Sequence, residues 1–154
     1  MGLFDYPTEA GEEAPIEDVN FLGDLDEADW KKILSLVETR RFRSGEDLIR
    51  SGEMDDSFYI LTEGSCEVIV SNSGGEQVRL SVIAEGSVFG EVAFFDKGAR
   101  SATIRAVEKG TAIRVTRQNF EHLAAWEPML ARRILFDLGK TLAVRLRYLT
   151  NKKV

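Results

Sequence analysis

Short stretches of alternating apolar and polar residues, separated by glycines, fill residues 41–115. In one of them Cys66, Val68 and Val70 fall on the same side, and residues 77–83 read as the strand that returns beside it. Strands that follow one another every ~8–12 residues, with turn residues between them, are typical of a β-barrel or a jelly roll. The sequence therefore predicts a mainly β fold with flanking helices, built on a double-stranded β-helix (jelly-roll) barrel.

The ends of the predicted strands are marked by turn residues. Residues 84–88 are expected to form a turn that leads out of a strand. A final hairpin is expected from residues 101–107 and 111–115, joined near Gly110. Further turns are expected at Gly45, Gly52, Gly64 and Gly86.

Helical patterns flank this β region on both sides. One N-terminal helix is expected from about residue 26, with Asp24 or Asp26 as its cap, and a second helix is expected after Thr116 or Asn119. Proline disfavours helical geometry in the residue before it, yet it suits the first turn of a helix. The second helix is therefore expected to end before Pro128, where the last helix begins.

The last helix is expected to run to about Leu149 and carries an apolar seam. Leu135, Leu138, Leu142, Arg145 and Leu149 follow alternating steps of three and four residues. This spacing resembles the a and d positions of a coiled coil, which would join two copies of the chain. The same seam could equally be the face that packs on the barrel.

Composition limits the class of protein. The chain has 154 residues, a net charge of −6 and 44% hydrophobic residues, so we expect one domain with a buried core and no general affinity for nucleic acid. Residues 1–18 are predicted to form a flexible acidic arm, followed by the domain over residues 19–154. The sequence has no apolar run of membrane-spanning length and a single cysteine, Cys66, and the residues at its start lead us to expect no signal peptide. These features favour a cytoplasmic protein.

Residues 89–103 hold most of the potential ligand chemistry of the chain. Gly90 lets a ligand approach the backbone closely, and free N–H groups at the start of the one-turn helix after it favour an anion. Arg100 can donate a fork of charge-assisted hydrogen bonds to a phosphate, and Ser101 adds a hydroxyl donor. Glu91 repels a phosphate but can accept a hydrogen bond from a sugar hydroxyl. This set suits a ligand with both a phosphate and a free ribose hydroxyl.

Residues 89–91 (Phe-Gly-Glu) and 100–103 (Arg-Ser-Ala-Thr) resemble the phosphate-binding cassette of cyclic nucleotide-binding domains. Such domains occur in bacterial catabolite activator proteins, protein kinase A regulatory subunits and cyclic nucleotide-gated channels. The resemblance implies that Glu91 binds the ribose 2′-hydroxyl and that Arg100 and Ser101 bind the cyclic phosphate. The cassette residues expected at the ligand are Phe89, Gly90, Glu91, Val92, Ala93, Arg100, Ser101 and Ala102.

The resemblance extends over residues 21–146 and implies a base pocket as well, because in this family the base meets the last helix. The residues expected around the purine are Val68, Leu80, Ile83, Phe89, Ile104, Thr141 and Arg145. The apolar members would be core residues even without a ligand. Arg145 and Leu146 stand where the catabolite activator proteins have a Thr-Ser pair, and Arg145 could stack on or hydrogen-bond the purine. This departure leaves the choice between cAMP and cGMP open, although a bacterial-looking architecture favours cAMP.

The resemblance implies a regulatory sensor rather than a DNA-reading protein. No room for a helix-turn-helix is expected after the last helix. We expect a stand-alone sensor module, or a fragment of a larger protein, that regulates an unknown effector protein through movement of that helix. A homodimer through the helix is possible, and no direct contact to nucleic acid or membrane is expected. The alternatives are a nucleotide-independent protein-interaction module on the same barrel, or a sensor of another effector such as haem or 2-oxoglutarate.

No pattern in the sequence indicates catalysis or a metal site. His122, the single histidine, is expected on the surface of a helix, and Cys66 is expected in the core. Glu91 has no nucleophile near it in the sequence, and no set of His, Cys or carboxylate residues has the spacing of metal ligands. We therefore expect neither an enzyme nor a cofactor.

Overall fold

The computed structural model describes residues 21–152, which form eight strands and four helices. In chain order these are α1 (Glu27–Leu34), β1 (Glu38–Phe42), β2 (Asp47–Ile49), β3 (Phe58–Glu63), β4 (Cys66–Ser71), β5 (Gln77–Ile83), β6 (Val88–Phe89), α2 (Glu91–Asp96), β7 (Thr103–Ala106), β8 (Gly110–Val115), α3 (Arg117–Trp126) and α4 (Pro128–Lys152). The predicted jelly-roll class with one helix before the strands and two after them is confirmed. The predicted acidic arm, residues 1–18, lies outside the described residues.

The strands form two antiparallel four-stranded sheets that face each other. One sheet has the order β1-β8-β3-β6 and the other has the order β2-β7-β4-β5. The predicted return strand over residues 77–83 is confirmed as β5, which pairs with β4 in antiparallel register. The glycines predicted at turns at positions 45, 52, 64 and 86 all have a positive φ, the backbone conformation that such tight turns need.

Strand β3 separates two hydrophobic cores because successive side chains of a strand point to opposite faces of its sheet. Phe58 and Ile60 pack into a core beneath the helices, and Tyr59 and Leu61 pack into a core between the sheets. All four side chains are buried, so β3 is covered on both faces. The site described below lies where these two cores meet.

The predicted final hairpin is wrong. Strand β7 pairs with β2 and β4 in one sheet, whereas β8 pairs with β1 and β3 in the other. The short loop between them therefore turns a corner from sheet to sheet. Strand β7 buries Ile104 and Ala106 in the inter-sheet core, to which β8 adds Ala112, whereas Ile113 and Val115 of β8 lie in the core beneath the helices. The expected turn over residues 84–88 is also too long, because Val88 already pairs with Ile60 in β6.

The helix starts agree with the predicted caps. The side chain of Asp26 accepts a hydrogen bond from the backbone N–H of Asp29 at 2.8 Å and caps α1. Thr116 caps α3 in a reciprocal capping box with Asn119. Pro128 occupies the first turn of α4, as predicted.

Much of the α4 seam packs against the body of the domain, as the second of its two expected roles requires, and the homodimer through this helix stays a prediction. Leu138, Arg145 and Leu149 are buried, whereas Leu135 is 40% exposed. The apolar residues that α4 leaves exposed are Met129, Leu135, Phe136, Val144 and Leu146. Within residues 21–152, no helix is both long enough and apolar enough to cross a membrane.

Gly110 is expected to tolerate no side chain, because its backbone crosses that of Glu63 at the corner between the sheets. A Cβ on Gly110 would lie 2.0 Å from the carbonyl oxygen of Glu63 and 2.8 Å from Cζ of Phe42. Gly110→Ala should therefore lower the free energy of unfolding by about 1–3 kcal/mol or more. The measurement is urea denaturation followed by circular dichroism.

Gly139→Ala is the matched control for this prediction. Gly139 lies on the exposed side of α4, and a Cβ there would meet no atom within 4 Å. The control should leave stability unchanged or raise it by about 0.5–1 kcal/mol, because alanine favours helix more than glycine does. An equal denaturation midpoint for Gly110→Ala and the parent would contradict the close approach of the Gly110 backbone to that of Glu63.

Candidate functional site

The site begins at Gly90, where β6 turns into α2. Gly90 has a φ of 79°, in the left-handed region that favours glycine. A Cβ here would lie 2.9 Å from Nη1 of Arg100 and 3.0 Å from Cδ1 of Ile49. Both the backbone conformation and the surrounding space therefore require glycine at this position.

The predicted one-turn helix is confirmed as α2, residues 91–96. It ends at Lys97, whose φ of 57° is also left-handed and whose N–H donates to the carbonyl of Ala93. The loop that follows leads back to Arg100. Within this loop, Ala99 forms an isolated antiparallel β-bridge with Met54. The fold thus brings both ends of the predicted cassette to one place.

Arg100 is buried and is held by the backbone around it. Its Nη1 donates to the carbonyl of Gly90 at 2.7 Å, and its Nη2 donates to the carbonyl of Ser57 at 2.7 Å and approaches Oδ2 of Asp55 at 3.3 Å. Its Nε is buried without a hydrogen-bond partner among residues 21–152. A buried donor of this kind is costly to leave unpaired, so Arg100 has capacity for a further acceptor.

Asp55 is the counter-charge of Arg100 and connects it to a second arginine. Its two oxygens accept hydrogen bonds from the backbone and hydroxyl of Ser57, and Oδ1 accepts from Arg114 at 3.1 Å. Burial opposes ionisation, but the hydrogen bonds from Ser57 and the charges of Arg114 and Arg100 hold the pKa of Asp55 below its ordinary value. Asp55 therefore stays ionised and compensates a buried guanidinium.

Glu91 and Arg145 form a second buried ion pair beside the first. Nη1 of Arg145 donates to Oε1 of Glu91 at 2.5 Å, and its Nη2 donates to the carbonyl of Val88 at 2.6 Å. The other carboxylate oxygen, Oε2, is buried without a hydrogen-bond partner in the described part of the chain. The structure thus joins the first residue of α2 to α4, across 54 positions of sequence.

A cleft of about 210 Å³ opens beside the cassette. Its lining residues are Ile49, Gly90, Val92, Ala93, Asp96, Ala99, Arg100, Ser101, Ala102 and Ile104. Most of the predicted cassette residues therefore border one cavity. One side is apolar, and the Arg100 guanidinium supplies positive charge, so the cleft can accept a ligand that is part anion and part ring.

Of the residues predicted around the purine, Ile104 lines this cleft, and the others are buried outside its lining. Val68, Leu80, Ile83 and Phe89 belong to the inter-sheet core, which also contains the cleft residue Ile104. Phe89 stacks on Tyr59 with ring centroids 5.1 Å apart. Their part in ligand binding stays a prediction.

The two candidates on α4 differ in their partners. The hydroxyl of Thr141 is buried and donates to the carbonyl of Asp137, one turn earlier, at 3.0 Å. Arg145 is committed to Glu91 and to Val88, as described above. The predicted contact of Arg145 with a purine therefore stays a prediction, whereas its contact with the cassette is part of the structure.

Three residues of the site carried no signal in the sequence. Nothing in the sequence indicates that Asp55 and Ser57 are partners of Arg100, which lies 43 positions after Ser57. Asp96 places a carboxylate on the cleft, which disfavours an anion on that side. Its exposed position at the end of α2 resembles that of an ordinary surface residue.

The single histidine and the single cysteine have ordinary positions. His122 is exposed on α3, as predicted, and Cys66 is buried, where burial raises the pKa of its thiol to about 12. At that pKa the thiolate, which is the reactive form, is scarce at neutral pH. Across residues 21–152, no group of three His, Cys, Asp or Glu side chains is placed to hold a metal ion.

Known proteins resemble this chain in sequence. The regulatory subunit of cAMP-dependent protein kinase from Blastocladiella emersonii is 32% identical over 111 residues, which cover 72% of this chain and 28% of that protein. The chain therefore matches little more than a quarter of that relative's length.

Solved structures share the fold. Thermus thermophilus catabolite activator protein gives a TM-score of 0.72 at 26% identity, over 83% of this chain and 58% of that one. The regulatory subunit of a cAMP-independent protein kinase A from Trypanosoma brucei gives a TM-score of 0.69 at 23% identity, over 89% of this chain and 48% of that one.

The sequence profile of the family described as "Cyclic nucleotide-binding domain" matches residues 39–125, which is more than half of the chain. The chain belongs to the cyclic nucleotide-binding domain family.

Proposed function

We propose that this chain is a sensor that binds a cyclic nucleotide, cAMP in the first instance, and regulates a partner protein through α4. The observation that carries the proposal is Arg100, a buried guanidinium at the edge of a cleft, with an Nε that has no partner among the described residues. A cyclic phosphate offers acceptor oxygens and the negative charge that such a group favours. The relative whose name includes cAMP supports the choice of nucleotide.

Each part of the ligand has a proposed partner. The phosphate binds Arg100 and Ser101 together with backbone N–H groups of residues 90–93. The ribose 2′-hydroxyl donates to Glu91. The purine lies against the apolar side of the cleft, which Ile49 and Ile104 provide.

The proposed mechanism is a shift in population between two positions of α4. Arg145 connects α4 to the cassette through Glu91 and Val88, so an event at the cassette changes the energy of docking α4 on the barrel. The effector protein would contact α4 or a surface that α4 covers. A homodimer through α4 stays a prediction, and it would use the exposed face that contains Leu135, Phe136 and Leu146, because the seam residues Leu138, Arg145 and Leu149 are buried.

A second candidate function is protein interaction without a nucleotide. Two observations favour it. Arg100 and Glu91 already pair with Asp55 and Arg145, and α4 exposes apolar side chains to solvent. The fold also occurs in a regulatory subunit described as cAMP-independent. Direct titration separates the two functions.

Calorimetric titration with cAMP, cGMP and AMP tests the proposal. We expect saturable binding of a cyclic nucleotide with one site per chain, and we expect AMP to bind far more weakly because it lacks the cyclic phosphate. The stronger of the two cyclic nucleotides identifies the base preference. The absence of saturable binding for both would reject the sensor and favour the interaction module.

Arg100→Ala tests the phosphate site. Loss of a charge-assisted hydrogen bond costs about 2–3 kcal/mol, so cyclic nucleotide affinity should fall roughly 30- to 150-fold. The matched control is Arg105→Ala, which removes an arginine of β7 that pairs with Asp47 and does not line the cleft. The control should bind like the parent. Circular dichroism establishes that both variants fold, and unchanged affinity in folded Arg100→Ala would show that the phosphate binds elsewhere.

A further inference from the structure

The side of α4 that faces away from the barrel presents basic and apolar side chains together. Arg132 lies over the ring of Phe136, with its Cζ 5.4 Å from the ring centroid, and Phe136 is 66% exposed. Exposed residues recur here at steps of three or four positions, which places them along one side of the helix. Apolar groups gathered on one exposed face are typical of a surface that another segment or protein covers. We call this surface the outer face of α4, and its members are Met129, Arg132, Phe136, Lys140, Val144 and Arg147.

The negative charge of the chain is concentrated in the acidic arm, residues 1–18. The arm contains six acidic side chains and no Lys or Arg, whereas the whole chain contains 26 acidic and 20 basic side chains. Residues 19–154 therefore contain 20 of each sign, and the net charge of −6 belongs to the arm. Every charged member of the outer face of α4 is basic. The arm and the outer face thus have opposite charges.

The chain enters the described part of the domain beside the outer face. The backbone N–H of Leu22 donates to Oδ2 of Asp137 at 2.9 Å, and Asp24 pairs with Arg133 at 3.2 Å. Arg133 and Asp137 each lie three positions before a member of the outer face, so they share a side of the helix with it. The acidic arm joins the domain only a few residues before these contacts, next to the surface of opposite charge.

The arm is also long enough and apolar enough to cover this surface. The outer face extends over about 27 Å of helix at ~1.5 Å per residue. An extended chain of the length of the arm can span about 60 Å. Besides its carboxylates, the arm contains Leu3, Phe4 and Tyr6, which can pack on the apolar members of the face.

We propose that the outer face of α4 is a docking surface for the acidic arm of the same chain, with arm carboxylates against Lys140 and Arg147 and with Phe136 covered. The proposal does not depend on the nucleotide site. A second copy of the chain fits this face less well, because a two-fold contact sets each surface against its own equivalent and would bring basic side chains together. The covalent connection also favours the arm, since it holds the arm at an effective concentration of roughly mM.

A docked arm has a consequence for the partners of α4. It covers Phe136, which the predicted homodimer would also use, and it neutralises the basic side chains around it. An effector or a second copy that binds this side of α4 must therefore displace the arm. The arm acts as an internal competitor for the outer face.

Paramagnetic relaxation enhancement in the full chain tests where the arm lies. Ala10→Cys places a nitroxide label in the middle of the arm, and Cys66 is buried and should stay unlabelled. At low salt the backbone amide signals of the outer face should lose about half of their intensity or more relative to the reduced label, as expected when a contact with a roughly mM dissociation constant is tethered. Signals of the turn between β4 and β5 should keep their intensity, because these strands contribute to the inter-sheet core and not to the core beneath the helices.

The double variant Lys140→Glu/Arg147→Glu tests the charge of the face in the same labelled chain. Broadening of the outer-face signals should fall about threefold or more, because two attractive surface pairs become repulsive. The matched control is Arg43→Glu/Lys109→Glu, which makes the same change of net charge at exposed positions of two barrel loops and should broaden like the parent. Salt at about 0.5 M should weaken the broadening in the parent, since it screens exposed charges.

Three results would overturn the proposal. They are the absence of outer-face broadening in the parent at low salt, equal broadening in the parent and in folded Lys140→Glu/Arg147→Glu, and broadening between molecules. The last is measured in an equimolar mixture of isotope-labelled chain without nitroxide and unlabelled chain with nitroxide. Unchanged signals in this mixture support a contact within one chain, whereas broadened signals would assign the arm to a second copy. The calorimetric titration tests the proposed nucleotide function separately, so either proposal can fail without the other.

Discussion

Two arginines from distant parts of the chain hold the short segment between Val88 and Glu91, and the site depends on this double attachment. Arg100 binds the carbonyl of Gly90, and Arg145 binds the carbonyl of Val88 and the carboxylate of Glu91. A buried guanidinium is tolerated only when acceptors and counter-charge surround it. The segment supplies acceptors to both arginines, so β6, α2, the cassette loop and α4 are joined through one turn of backbone.

The counter-charges connect this turn to the rest of the fold. Asp55 binds Arg100 on one side and Arg114 of β8 on the other, and Arg114 continues to Glu38 of β1. Desolvation works against the charge of Arg114, but the hydrogen bond and charge of Glu38, with the charge of Asp55, raise the pKa of Arg114 above its ordinary value. The network thus runs from the cleft across one sheet to its edge. A change of charge in the cleft therefore alters the electrostatic energy of Asp55 and, through it, of Arg114 in β8.

The cassette could be recognised from sequence because its residues fall in two short segments, 89–91 and 100–103. The fold brings Gly90 of the first segment and residues 100–102 of the second to one cleft through α2 and a short loop. The partners of these residues could not be predicted in the same way. No local pattern marks Asp55 as the partner of Arg100, and the pairing of Glu91 with Arg145 depends on where α4 crosses the barrel.

The sequence by itself determined the class of fold, the strand that became β5, the capped starts of α1 and α3, and the residue types of the cassette. These follow from local periodicity and from the conformations that glycine, proline and capping side chains favour. Tertiary structure alone decided that β7 and β8 lie in different sheets and that Leu138 of the α4 seam packs in the core beneath the helices. It also paired Arg145 with Glu91. Each of these outcomes depends on which distant part of the chain packs against a strand or a helix. The pattern of apolar residues along the sequence is the same for each possible packing.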